Sequence, residues 1–229
     1  MLQNTQASIA NNVSRTFFGQ VMAFFGLALA AAAGGVLVGF YLLPAALIYN
    51  TGFMLLMFAV TLILVFTSRR WSRGRLGYFF LIVFAAIFGL TFVPLLAITA
   101  LTAGAPLIGK ALLATVTMFG GMALYGITTK RDLSGLGGAL IASLIGMIVV
   151  SLLTFVLYLF GISVWSNATE LVFSGFGILV FAGFTMYDFQ KIRSLSGQIT
   201  PIEGAIKIFL DFILLFQYIL RFMTALGRD

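Results

Sequence analysis

The strongest constraint on this chain is a series of long apolar runs separated by short polar connections. A helix needs roughly 20 apolar residues to cross the 30 Å hydrocarbon layer of a bilayer. Seven runs come close to or exceed that length. They cover about 16–41, 51–68, 76–99, 107–128, 136–160, 170–190 and 203–226. The pattern predicts an all-α membrane protein, a bundle of seven transmembrane helices.

The composition excludes an ordinary water-soluble domain. The chain has 229 residues, of which 62% are hydrophobic and 8% charged, whereas soluble domains carry about 25% charged residues. The first 14 residues, "MLQNTQASIANNVS", are polar and predict a disordered tail. Residues 15–229 then form a single transmembrane domain.

Cysteine and histidine are both absent. Their absence removes disulfides, thiolate nucleophiles, Ser-His triads and the usual zinc sites. We expect no enzyme and no cofactor. Histidine is also the common pH switch of proteins, so any pH sensing in this chain has to come from carboxylates.

The basic residues orient the bundle and explain the net charge of +7, so we expect no nucleic-acid partner. With the N-terminus in the cytoplasm, ten basic residues lie on the cytoplasmic side and three on the other, as the positive-inside rule requires. Seven spans put the C-terminus outside. The predicted location is a multi-pass protein of the bacterial cytoplasmic (inner) membrane.

Two acids lie in or beside apolar runs, Asp188 in "FAGFTMYDFQKIRSL" and Asp211 in "KIFLDFILLF". Both lie about 9–12 Å from the same end of neighbouring antiparallel helices, at 1.5 Å per residue. Charged groups inside a bilayer are costly and usually mark ion or proton pathways. Two facing carboxylates resist double ionisation and tend to share a proton. The spacing favours a proton-sensitive latch.

Structural interpretations compete with this one. Asp188 could pair with Lys191, and Asp211 could reach toward Lys207 and the membrane surface. Arg69 and Arg70 end the second run on the side of the acids, where either could clamp the pair in a closed state or only anchor the helix. Asp132, in the loop "TTKRDLSG", is expected to cap a helix or to pair within its loop.

Three segments resemble the Bax inhibitor-1 family: "YGITTKRDLSGLG" (125–137), "MYDFQKI" (186–192) and "FLDFILLFQYILR" (209–221). The resemblance implies a seven-helix bundle of the Bax inhibitor-1 type that provides a pH-sensitive calcium leak. It implies that Asp188 and Asp211 are the pH sensor and that Arg69, or Arg70, holds the closed state. The chain departs from the family in its second run, which lacks an acidic residue.

The resemblance makes calcium a permeant ion, not a resident cofactor. Calcium takes six to eight oxygen ligands, so Asp188 and Asp211 can offer it only a weak, transient site. A weak site suits a leak, because an ion that binds tightly does not leave. The expected partners are the lipid bilayer, calcium ions and protons, and a membrane protease is a further candidate.

Two other functions stay open from the sequence, and a third is disfavoured. A proton-coupled transporter would use the same acids, although the repeats and broken helices of many transporters are not evident. An aspartyl intramembrane protease is disfavoured, because no glycine stands beside Asp211. An interaction protein that modulates a membrane protease or a cell-death factor could coexist with a leak.

Overall fold

The computed structural model describes residues 2–162, 164, 166–194 and 198–227, and of residues 2–15 the backbone alone. These residues are helical, with short connections and no strand among them. Their helices are α1 (Leu2–Tyr41), α2 (Ala45–Ile48), α3 (Thr51–Phe66), α4 (Ser68–Trp71), α5 (Gly77–Thr91), α6 (Val93–Thr102), α7 (Ala105–Thr128), α8 (Ser134–Leu159), α9 (Asn167–Ser194) and α10 (Pro201–Leu226). The prediction of an all-α protein is confirmed.

Six helical segments of the described chain are long and apolar enough to cross a membrane. They are Thr16–Tyr41, Gly77–Thr102, Ala105–Thr128, Ser134–Leu159, Asn167–Ser194 and Pro201–Leu226. The predicted count of seven is therefore not confirmed. The difference lies in the second predicted span, 51–68, which forms the 16-residue helix α3. At 1.5 Å per residue α3 is about 24 Å long, shorter than a hydrocarbon layer of about 30 Å.

Polar residues follow α3. The Thr67 hydroxyl and backbone N–H both donate to the Ile63 carbonyl, over 2.6 Å and 2.9 Å. The single turn α4 follows at once and carries Arg69 and Arg70.

The first helix of the chain, α1, begins at Leu2. The division into a tail over 1–14 and one domain over 15–229 stays a prediction.

The helices group into two compact units along the chain. Unit 1 comprises Met1–Ile98 and Ile192–Phe209. Within it, α1 and α5 are in close contact. A Cβ atom on Gly35 of α1 would overlap the backbone carbonyl of Ala86 on α5. A Cβ atom on Gly89 of α5 would overlap the backbone carbonyl of Ala32 on α1. Small residues on both helices thus let the two backbones touch, as is common between membrane helices.

Unit 2 comprises Thr99–Lys191 and Leu210–Asp229. It holds α7, α8 and most of α9 and α10. A Cβ atom on Gly126 of α7 would overlap the Met186 carbonyl of α9. A Cβ atom on Gly177 of α9 would overlap the ring of Tyr218 on α10. Glycines therefore bring α7 and α10 close to α9, the helix that carries Asp188.

Candidate functional site

Both predicted acids are buried in unit 2. Asp188 lies on α9 and Asp211 on α10, and they are only 8% and 5% exposed. The Oδ2 atom of Asp211 is itself shielded from solvent. Burying an ionised carboxylate is costly unless hydrogen bonds or an opposite charge compensate it. Their depth in the membrane stays a prediction.

The register of α9 against α10 can be read from an aromatic pair. The rings of Phe181 on α9 and Tyr218 on α10 are stacked, with centroids 5.5 Å apart and planes 15° apart. From Phe181, seven residues forward along α9 lead to Asp188, and from Tyr218, seven residues back along α10 lead to Asp211. Seven residues make two helical turns and return a side chain to nearly the same face. In antiparallel neighbours, this count puts the two carboxylates on the faces that carry the stacked rings.

A third helix supports the same register. Phe119 of α7 contacts Phe189 with ring centroids 5.6 Å apart and Phe212 with centroids 5.1 Å apart, both edge to face. Phe189 and Phe212 directly follow the two acids in the sequence. One ring of α7 therefore touches both helices at the level of Asp188 and Asp211. The pairing of the acids stays a prediction, and these contacts support it.

The base next to Asp188 has an aromatic partner. Lys191 donates from Nζ to the Tyr187 hydroxyl over 2.7 Å, and its ammonium lies 4.9 Å from the centre of that ring. Lys191 and Tyr187 are four residues apart on α9, which makes them neighbours on the helix surface. The pair of Asp188 with Lys191, an alternative that the sequence leaves open, stays open.

The loop between α7 and α8 is attached to α9 close to Asp188. Gln190 donates from Nε2 to the Arg131 carbonyl over 2.7 Å, and its Oε1 accepts the Leu133 N–H over 2.8 Å. Both bonds come from one side-chain amide, which can donate and accept at once. The sequence analysis missed this contact, since nothing local to Gln190 indicates a partner 57 residues away.

Asp132 serves that loop as a local cap, as predicted. Its Oδ1 accepts the Ser134 N–H over 2.9 Å, and its Oδ2 accepts the Ser134 hydroxyl over 2.8 Å. These bonds, the backbone one first, hold the pKa of Asp132 below its usual value because they favour the charged form. Asp132 is an exposed structural acid.

Arg69 and Arg70 lie in the last turn of α4, in unit 1, and both are exposed. Their part in a closed state stays a prediction.

Unit 1 also contains a buried acid that the sequence analysis missed. Glu203 is 6% exposed and accepts a 2.9 Å hydrogen bond from the Ser72 hydroxyl. The pattern "TPIE" could have indicated the helix start, since Thr200 caps the Glu203 N–H.

An ion pair joins α9 and α10 at the far end from the acids. Arg221 donates from Nε to Oε1 of Glu170 over 2.6 Å and from Nη2 to Oε2 over 3.0 Å. The two side chains are 25% and 14% exposed. A bidentate pair of this kind is among the strongest hydrogen-bonded contacts. Opposite charges near adjoining ends of antiparallel helices were the signal that could have found it.

No group of three or more histidine, cysteine or acidic side chains able to hold a metal ion occurs in the part of the chain that the structure describes. A cation near Asp188 and Asp211 would need carbonyl or water oxygens to complete its shell. Such a site would bind calcium weakly.

Comparison with known proteins identifies the family. The family model described as an inhibitor of apoptosis-promoting Bax1 matches residues 14–228. The chain is 33% identical over 186 residues to the inner membrane protein YbhL of Escherichia coli K12, covering 76% of this chain and 74% of that protein. It is 31% identical over 212 residues to the protein Cj0236c of Campylobacter jejuni, covering 91% and 88% of the two chains.

These relatives agree with the membrane character of the helices. One carries the inner membrane in its name, and six segments of the chain described here are long and apolar enough to span a bilayer. We conclude that the chain belongs to the Bax inhibitor-1 family and is a multi-pass integral membrane protein.

Proposed function

We propose that this protein is a pH-sensitive cation leak in which Asp188 and Asp211 share a proton and control the passage of calcium. One observation carries the proposal: both acids are buried, each two turns from the Phe181–Tyr218 stack, on facing antiparallel helices. Membership of the Bax inhibitor-1 family adds to it.

The physical basis is the different behaviour of the pair in its two charge states. With one proton shared, the pair carries one negative charge and a strong hydrogen bond can hold α9 against α10. With both carboxylates ionised, the charges repel each other in a poorly solvated site and attract a cation. Proton binding can therefore couple helix separation to cation entry.

The membrane arrangement is part of the proposal. α3 would serve as a short seventh span, which a bilayer can accommodate by local thinning at modest cost. The N-terminus would be cytoplasmic and the C-terminus outside, in the inner membrane of a bacterium, as the distribution of basic residues favours. Arg69 or Arg70 would supply the positive charge that stabilises the closed state.

The test is calcium flux into dye-loaded liposomes that contain the purified protein, from about pH 5 to pH 8. We expect a pH-dependent flux whose profile flattens in both Asp188→Asn and Asp211→Asn, since an amide cannot take up the shared proton. Asp132→Asn is the matched control, because it removes an exposed loop acid and should leave the profile unchanged.

The same assay separates the two arginines. If one of them clamps the closed state, Arg69→Gln or Arg70→Gln will raise the flux at the pH where the wild type is least active. Wild-type protein without flux above empty liposomes at any pH would overturn the calcium leak and favour a proton-coupled transporter. A flux that keeps its pH profile in both Asn variants would remove the acids from the sensor.

A further inference from the structure

The connection between α3 and α5 is strongly basic. Residues 68–75, "SRRWSRGR", carry four arginines, and we call this segment the basic turn. Arg69, Arg70, Arg73 and Arg75 are all exposed. None of their side chains makes a hydrogen bond or an ion pair with another residue in the part of the chain that the structure describes. Their guanidinium groups, which are rich in N–H donors, are therefore available to an external acceptor.

Other side chains of the basic turn attach it to the helices around it. The Trp71 indole N–H donates to the Leu64 carbonyl of α3 over 2.9 Å, and the centres of the Trp71 and Phe80 rings are 5.8 Å apart. Ser72 is buried and donates its hydroxyl to Oε1 of Glu203 on α10 over 2.9 Å. These contacts fix the backbone of the turn, so its arginines are carried by a folded segment.

The acids of the chain do not compensate the charge of the basic turn. Glu203, the acid in contact with the turn, is buried and bonded to Ser72. Among the acids that the structure describes, only Asp132 is exposed, and its carboxylate already accepts two hydrogen bonds from Ser134. A second copy of the chain therefore offers one exposed acid in its described part against four arginines. The acceptor is expected in the surroundings of the protein.

The basic turn lies directly beside a candidate membrane span. Gly77–Thr102 begins two residues after Arg75. Its 26 residues measure about 39 Å at the rise of a helix, more than a hydrocarbon layer of about 30 Å. Apolar side chains flank the turn, since Phe66 is 82% and Leu76 57% exposed, and tryptophan, as at Trp71, is typical of the boundary between hydrocarbon and headgroups. These features put the four arginines at the level of the lipid headgroups.

We propose that the basic turn binds the headgroups of anionic phospholipids. Guanidinium groups match the geometry of phosphate oxygens, and their charge attracts an anionic headgroup. A zwitterionic headgroup offers the same phosphate oxygens without the net charge, so it binds less well. A soluble acidic protein would have to displace headgroups that already lie at this level. The lipid surface does not depend on the calcium leak, and it holds whether or not Arg69 or Arg70 also stabilises a closed state.

The experiment uses Trp71 as a reporter inside the basic turn. Trp165 is the other tryptophan of the chain, so Trp165→Phe leaves Trp71 as the single energy donor. The full-length protein is placed in phosphatidylcholine nanodiscs that contain a small fraction of pyrene-labelled lipid, either phosphatidylglycerol or phosphatidylcholine with the same chains. At equal fractions and about 0.15 M salt, we expect phosphatidylglycerol to be enriched beside Trp71 about fivefold, the factor that one basic residue contributes near an anionic surface.

Arg73→Gln with Arg75→Gln tests the basic turn and leaves its two other arginines in place. This double variant should lower the enrichment of phosphatidylglycerol about threefold. Arg73→Lys with Arg75→Lys should keep most of the enrichment, because the charge stays. Lys130→Gln with Arg131→Gln is the matched control, since both residues are exposed and the change removes the same charge from a loop of unit 2. The control should keep the enrichment of the parent protein.

Thermal unfolding shows whether each variant is folded, and if the Gln variant is not, the two labelled lipids and the Lys variant still decide the matter. Glycerol 3-phosphate, which has the phosphate without the chains, should leave the enrichment unchanged when it is added in excess at constant ionic strength. The proposal is overturned if both labelled lipids are equally enriched, if the Gln variant keeps the enrichment, if the control loses it equally, or if glycerol 3-phosphate abolishes it. Equal enrichment would favour a soluble acidic protein as the partner of the turn.

Discussion

Helices α9 and α10 carry charged side chains at two levels, and the two levels differ in how acids and bases are combined. At one level lie two acids, Asp188 and Asp211, both buried. At the other, an acid meets a base, Glu170 with Arg221, in a bidentate contact. The Phe181–Tyr218 stack lies between them. The same two helices therefore carry a compensated charge pair at one level and two buried acids at the other.

A pair of opposite charges and a pair of like charges respond differently to pH. An opposite pair attracts at any pH at which both groups are ionised, so it holds α9 and α10 together steadily. A like pair attracts through a shared proton and repels without it, so its contribution changes sign with pH. The comparison separates an observed ion pair at the Glu170 end from a proposed proton-sensing pair at the Asp188 end.

The largest expected effect follows from removing Arg221, the base of the Glu170–Arg221 pair. Arg221→Gln leaves Glu170, only 14% exposed, without its charged partner, which should lower the free energy of unfolding by about 2–4 kcal/mol. Thermal or denaturant unfolding in detergent micelles measures this. The double variant with Glu170→Gln should recover part of the loss. An Arg221→Gln protein as stable as the wild type would show that the pair is not a structural contact.

The like pair should respond in the opposite direction. At about pH 8, Asp188→Asn or Asp211→Asn removes one of two repelling charges and should raise the free energy of unfolding by about 1–2 kcal/mol. The gain should shrink as the pH falls, because the wild-type pair then regains its proton. Unfolding temperatures measured across pH check this. Two Asn variants less stable than the wild type at pH 8 would contradict the repulsion.

The smallest effect concerns Asp132, an exposed acid held by Ser134. Its pKa is lower in the folded protein than in the unfolded chain, so its stabilisation is present above the unfolded pKa and is lost as the pH falls through the folded pKa. Asp132→Ala should therefore lower the unfolding temperature slightly at neutral pH and not at strongly acidic pH. Ser134→Ala, which removes the side-chain bond alone, should have a smaller effect. A difference that does not vary with pH would contradict the capping bond as its cause.

Much of the fold followed from residue pattern. Long apolar runs predict helices whatever their neighbours are, because a backbone in hydrocarbon has to satisfy its hydrogen bonds within the segment. The cap formed by Asp132 was also predictable, since its partner is two residues away. The length of α3 could not be predicted from the sequence. Its apolar run continues to the polar residues at 67–70, whereas the helix ends at Phe66.

The two candidate acids could be selected from the sequence, whereas the contacts around them could not be predicted from it. Asp188 and Asp211 stand out because few acids occur in so apolar a chain. The Gln190 amide, the Glu203–Ser72 bond and the Glu170–Arg221 pair all join residues more than 50 positions apart. No periodicity encodes such distances.

By itself, the sequence determined that the chain is helical and that it lies in a membrane. Those properties depend on composition and on local hydrogen bonding. Only the tertiary structure decided which charges oppose which, because that depends on the register of α9 against α10. The register is set by close packing of Gly177, Phe181 and Tyr218, and packing is a property of pairs of surfaces that neither helix carries alone.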